Sequence, residues 1–134
     1  GLWAAVTMSL AESPAQAAER QQHERRVLED ALLSQKLDVA WSNAVVEHLK
    51  EGLNAQLMAG TQLVDAQCRE TFCRVAVLHK SDEDMAAFLD SIGTIDDFDN
   101  TEFYWQREPK ADGSSSMTLF VARQGQTLPN FRMQ

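Results

Sequence analysis

Leu63-Val64-Asp65-Ala66-Gln67-Cys68-Arg69-Glu70-Thr71-Phe72-Cys73-Arg74-Val75-Ala76-Val77-Leu78 holds the only two cysteines of the chain. Apolar residues alternate with polar ones on both sides of a short polar turn, which reads as strand-turn-strand. Successive strand side chains point to opposite faces. Val64, Ala66 and Cys68 are therefore expected on one face of the first strand, and Cys73, Val75 and Val77 on one face of the second. Phe72, Arg74, Ala76 and Leu78 point the other way. If the turn closes as the spacing suggests, the sulfurs face each other across the hairpin, on the side of the aliphatic residues. A disulfide Cys68–Cys73 on the core side follows, contributing about 2 kcal/mol through chain entropy. Two other readings use the same residues. One is a metal set of Cys68, Cys73 and His79, but zinc takes four ligands and no second cysteine pair exists. The other is a pair of reduced, inert core thiols. The spacing is not the C-x-x-C of redox sites.

Working outward, Ser13-Pro14 opens a helix, with Ser13 as cap, Pro14 at its first position and Gln16 completing a capping box. Ala15 to Gln35 contains no Gly or Pro. Its first half is polar and supplies i,i+4 pairs: Arg20–Glu24, Arg25–Glu29 and Arg26–Asp30. Its second half gains an apolar stripe of Val27, Leu28, Ala31 and Leu32. The expectation is a helix that projects at its beginning, as a stalk or a chain-pairing helix, and docks at its end. Asp38 caps a second helix with Trp41, Val45, Leu49 and Leu53 on one face, widened by Val46 and Leu57, and Gly60 ends it. A turn near Leu37 would make the two helices an antiparallel pair.

After the cysteine hairpin, Ser81-Asp82-Glu83-Asp84 is a helix N-terminus with acids in its first turn. Met85, Phe88, Leu89 and Ile92 form the buried stripe and Gly93 stops it. Thr101 to Glu108 reads as a strand with Phe103 and Trp105 on one face and Tyr104 on the other. Pro109 to Ser115 is a turn-rich loop. Ser116 to Arg123 is the last strand, with Met117, Leu119 and Val121 alternating against Thr118, Phe120 and Ala122. Leu128, Pro129 and Phe131 of the tail can tuck back. The order α-α-β-β-α-β-β predicts an α+β fold with a four-stranded antiparallel sheet and the helices packed on one face. Residues 1–36 read as an N-terminal segment with the polar helix, and 37–134 as the α+β domain.

Composition narrows the roles. The 134 residues are 44% hydrophobic and 24% charged, which is globular rather than disordered. The net charge of −8 argues against nucleic acid and against an anionic lipid surface, and suits a basic partner. The chain opens Gly1-Leu2-Trp3 without Met. Leu2 to Met8 is apolar but shorter than the roughly 20 residues that span a bilayer. It reads as a helix or strand packed on the core, or as the end of a signal or anchor segment.

No catalytic signature emerges. No Gly-x-Ser-x-Gly elbow, phosphate-binding glycine loop or EF-hand spacing is present, so no cofactor or metal is expected. His79 ends a strand and His48 lies near the wet edge of the second helix. Asp96, Asp97, Asp99 and Glu102 read as a solvated acidic connection. Tyr104 and Phe120, with Phe72 and Arg74 on the same sheet face, are the expected partner surface.

The segment Val64 to Val77 resembles a pattern, roughly V-x-C-R-x-x-x-C-R-V-x-V followed by a helix and a final hairpin, of uncharacterised secreted or lipid-anchored bacterial domains. Trp41 at the start of the second helix and the ending Val121 to Pro129 are similar too, so the resemblance spans about Trp41 to Pro129. It implies a fold and a compartment and brings no activity. The resulting expectation is a non-enzymatic periplasmic or extracellular protein-interaction module, tethered to the inner or outer membrane by sequence before Gly1. The alternatives are a small-ligand binder or enzyme with a helix-sheet cleft and His48 or His79 as its polar handle, and a structural homodimer paired through the N-terminal helix.

Overall fold

The computed structural model describes residues 12–54 and 59–132. The expected apolar run Leu2 to Met8 and Leu57 lie outside them. Helix α1 (Pro14–Ser34) and helix α2 (Val39–Leu53) precede strands β1 (Thr61–Cys68) and β2 (Phe72–His79). Helix α3 (Asp82–Ile92), a 3₁₀ turn (Asp96–Phe98) and strands β3 (Phe103–Pro109) and β4 (Ser115–Ala122) complete the order. The four strands form one antiparallel sheet in the order β1-β2-β4-β3. The α+β class and the sequence of elements are those read from the chain.

The helix starts follow the local chemistry. The Ser13 hydroxyl accepts from the Gln16 N–H at 3.1 Å while the Gln16 side chain accepts from the Ser13 N–H at 2.8 Å, closing the capping box. Asp38 accepts from the Trp41 N–H at 2.9 Å, and Ser81 from the Asp84 N–H at 3.2 Å. α2 stops at Leu53 with Asn54 as its cap, earlier than the expected end at Gly60. Gly52 lowers helix propensity just before that point. Between β3 and β4, Asp112 accepts from both the N–H and the hydroxyl of Ser114, and Gly113 supplies the positive φ the turn requires.

Two departures from expectation shape the molecule. First, β1 carries a β-bulge between Leu63 and Asp65. The extra residue flips the alternation, so Val64 faces solvent, while Thr61 and Leu63 join Ala66 and Cys68 on the inner face.

Second, the helices do not share one face. Trp41, Val45 and Leu49 of α2 and Phe88 and Ile92 of α3 pack with Cys68, Cys73, Val75, Val77, Met117, Leu119 and Val121. Leu28 and Leu32 of α1 pack on the opposite face with Phe72, Phe120, Ala122, Leu128 and Phe131. The cause lies in β2 and β4, whose second phase carries Phe72, Phe120 and Ala122 at the hairpin-tip end and so needs cover on that side too. α1 and the tail supply the second cover. The antiparallel α1–α2 pair expected from the turn near Leu37 therefore does not form. α1 docks from its middle onward, where Glu24, Leu28 and Leu32 are buried. Its first turns, up to His23, are mostly exposed.

Candidate functional site

The chain crosses from one face of the sheet to the other at the tip of the cysteine hairpin, and it is clasped there. Cys68 and Cys73 are disulfide-bonded, directly paired across β1 and β2 with Cα atoms 4.0 Å apart, and wholly buried in the α2 core. A disulfide indicates an oxidising, extracytoplasmic environment. The Ser42 hydroxyl of α2 accepts from the Cys68 N–H and donates to the Cys68 carbonyl. The Asp38 N–H donates to the same carbonyl at 2.9 Å. On the other side Gln35 accepts from the Thr71 N–H, donates to the Thr71 hydroxyl, and offers its carbonyl to Arg69.

Arg123, just past β4, completes the clasp. Its guanidinium lies 4.4 Å over the Trp41 ring and 3.1 Å from Asp38. The Trp41 N–H, then Arg123, hold the Asp38 carboxyl below its usual value. Trp41, Cys68, Arg69, Cys73 and Arg123 thus gather at the hairpin tip, while Arg74 of the same pattern turns to the opposite face. Their role there is to fix the hairpin, since the sulfurs and Ser42 are buried and their polar contacts are satisfied internally.

The expected partner surface comes together but is covered. Phe72 and Phe120 are 0% exposed, beneath α1 and the tail. Tyr104 stacks on Phe131 with ring centroids 4.5 Å apart, and its hydroxyl accepts from Gln106. Burial pushes its phenol upward. Arg74 is ion-paired with Glu29 of α1. These four residues form an internal helix-sheet seam, because the α1 stripe that looked available for a partner chain is spent on the chain's own sheet.

The histidines are separated. His79 is wholly buried, Nδ1 2.7 Å from the Thr61 hydroxyl and its ring 5.2 Å from that of Phe88. Desolvation lowers its pKa against the pull of Asp84. His48 is exposed and ion-paired with Asp97, which raises its pKa, with Glu51 and Asp96 adding to the rise. Each borders its own hollow: His79 with Gly60, Thr61 and Ser114, and His48 with Glu51 and Asp96. Among the described residues no group of three or more His, Cys, Asp or Glu side chains could hold a metal ion.

An apolar hollow lies at the start of β3, at the same end of the sheet as the disulfide. A hollow of about 200 Å³ is lined by Ile92, Gly93, Phe98, Asn100, Thr101, Phe103, Leu119 and Val121. Phe103 shares the inner-face phase with Trp105 as expected, yet it is 48% exposed. The reason is position: β3 is an edge strand, and α3 ends at Ile92, short of covering Phe103. The chain turns away there through Asn100, a non-glycine residue at φ 58°. Alternation alone placed Phe103 in the core, and edge position was invisible to it. No family model, no curated protein and no solved structure matches this chain.

Proposed function

We propose that this chain is a non-enzymatic, extracytoplasmic protein-interaction module that presents the Phe103 hollow to a protein partner. The observation that carries the reading is a large aromatic side chain left half in water beside an apolar hollow at the margin of the α2–α3 core, on a scaffold whose opposite sheet face is covered by α1 and the tail. Exposed aromatic groups beside a pocket are the usual anchors of protein contacts. The hollow is smaller than the roughly 300–1,000 Å³ common for small-molecule sites, and suits an inserted side chain. The buried disulfide supports export to the periplasm or beyond. The resemblance to secreted and lipid-anchored domains supports the finer form of this reading, a membrane tether through sequence before Gly1.

The test is site-specific photo-cross-linking in intact host cells. A photoreactive residue at Phe103 is expected to capture a discrete protein that the same residue at exposed His23 or Ala86 does not. Equal labelling at all three positions would overturn the assignment of the site. Alkylation of the isolated protein before reduction is expected to modify neither cysteine, and modification of both would overturn the compartment.

A further inference from the structure

Resting on that reading of the hollow, we propose the chemistry of its partner: an extended, basic segment of another protein. It adds as a fifth strand along the outer edge of β3 and places one apolar side chain against Phe103.

Three observations converge on this occupant. The first is the backbone. The Ala122 N–H donates to the Glu102 carbonyl at 2.9 Å. By the alternation of an antiparallel ladder, Tyr104, Gln106 and Glu108 then pair toward β4. Phe103, Trp105 and Arg107 turn their N–H and C=O groups outward, and among the described residues no strand takes them up. Pro109 falls on the outward phase, where its missing N–H breaks no bond to β4. The register of β3 with β4 is continuous from Phe103 to Pro109, whereas the other edge strand, β1, is interrupted by its bulge. Of the two edges, β3 is the regular template for strand addition.

The second observation is the hollow. Strand addition beside Phe103 and Trp105 brings a neighbouring side chain over the same face, where Ile92, Phe98 and Leu119 line the hollow.

The third is charge. Asp99 and Glu102, just ahead of β3, are exposed and make no ion pair among the described residues. Arg107, the cation on the strand, is engaged by Asp82 of α3 at 2.8 Å. This end of the edge therefore meets an approaching chain with exposed carboxylates, on a protein of net charge −8. A cationic segment is drawn in and an acidic one repelled.

The experiment uses the intact oxidised chain and a synthetic peptide of alternating Lys and Val with one central Phe. Its comparison peptides carry Glu for Lys, or N-methyl groups on alternate backbone nitrogens. Binding is read by amide chemical shifts and by titration calorimetry. The Lys peptide is expected to shift Phe103, Trp105 and Arg107. The Glu and N-methyl peptides are expected to bind about tenfold more weakly or less. Gly93→Leu adds a bulky side chain at the rim of the hollow: a Cβ at Gly93 meets nothing within 4 Å, and its φ of −71° suits any L-residue. This variant is expected to keep the wild-type melting temperature and lose peptide binding. Binding left undiminished by Gly93→Leu, by N-methylation or by the exchange of Lys for Glu overturns the inference. So does a partner captured at Phe103 whose contacting segment is helical or acidic, and that result leaves the interaction reading itself standing.

Discussion

Leu28→Ala measures how firmly α1 is seated on the sheet. Leu28 is 0% exposed, packed among Leu32, Phe72, Phe120, Ala122, Leu128 and Phe131. Removing a buried leucine costs its transfer free energy plus that of the cavity left behind, about 2–5 kcal/mol. The central expectation is about 3 kcal/mol. With an unfolding entropy of about 2.1 cal/mol/K per residue, the 134-residue chain should lose roughly 10 °C in melting temperature. If α1 instead stood in solvent, the sign would change: alanine is the better helix former, and the substitution would be neutral or slightly stabilising. Leu33→Ala supplies the internal comparison, since Leu33 lies on the same helix but is 65% exposed. It should change stability by less than about 0.5 kcal/mol. The assay is urea unfolding followed by circular dichroism. A lower midpoint at constant slope reports stability alone. Equal effects of the two substitutions would refute the placement of α1 and reopen the Phe72–Phe120 face to a partner.

Replacing both cysteines, Cys68→Ala with Cys73→Ala, should cost about 2 kcal/mol from lost chain constraint. Reductant should then lower the melting temperature of the wild type and leave the double variant unmoved. The His48–Asp97 pair raises the folded pKa of His48, so its contribution is fully present below the unfolded value near 6.5 and fades as pH rises through the folded value. Asp97→Asn should flatten that limb of the stability–pH curve, and an NMR titration of His48 should move downward. His79 has the opposite sign. Its folded pKa lies below 6.5, so stability is full above that pH and is lost on acidification as the unfolded chain takes up the proton. His79→Leu should remove this acid-sensitive part, and an unchanged acid limb would show that His79 is not held neutral by the fold.

Local reasoning was adequate wherever the cause was local. The caps Ser13, Asp38 and Ser81 announced helix starts because short oxygen-bearing side chains satisfy the first exposed N–H groups. Strand alternation placed Met117, Leu119 and Val121 opposite Phe120 and Ala122 in β4. It failed in β1, because one inserted residue at Val64 reverses every position before it, and no composition signal marks a bulge inside an alternating run. The covered seam of Tyr104, Phe120, Phe72 and Arg74 was legible as a shared face. Its occupant was not, since the same stripe of Val27, Leu28, Ala31 and Leu32 would serve equally for a partner helix.

The amino-acid sequence by itself determined the elements, their order, the antiparallel class and the facing cysteines, because turn chemistry, capping and side-chain period act over a few residues. Only the tertiary structure decided which face α1 covers and which aromatic residue stays in water. Those outcomes depend on competition among apolar surfaces far apart in the chain. The clasp of Gln35, Asp38 and Arg123 around the hairpin tip, where the chain changes faces, is where that competition is resolved.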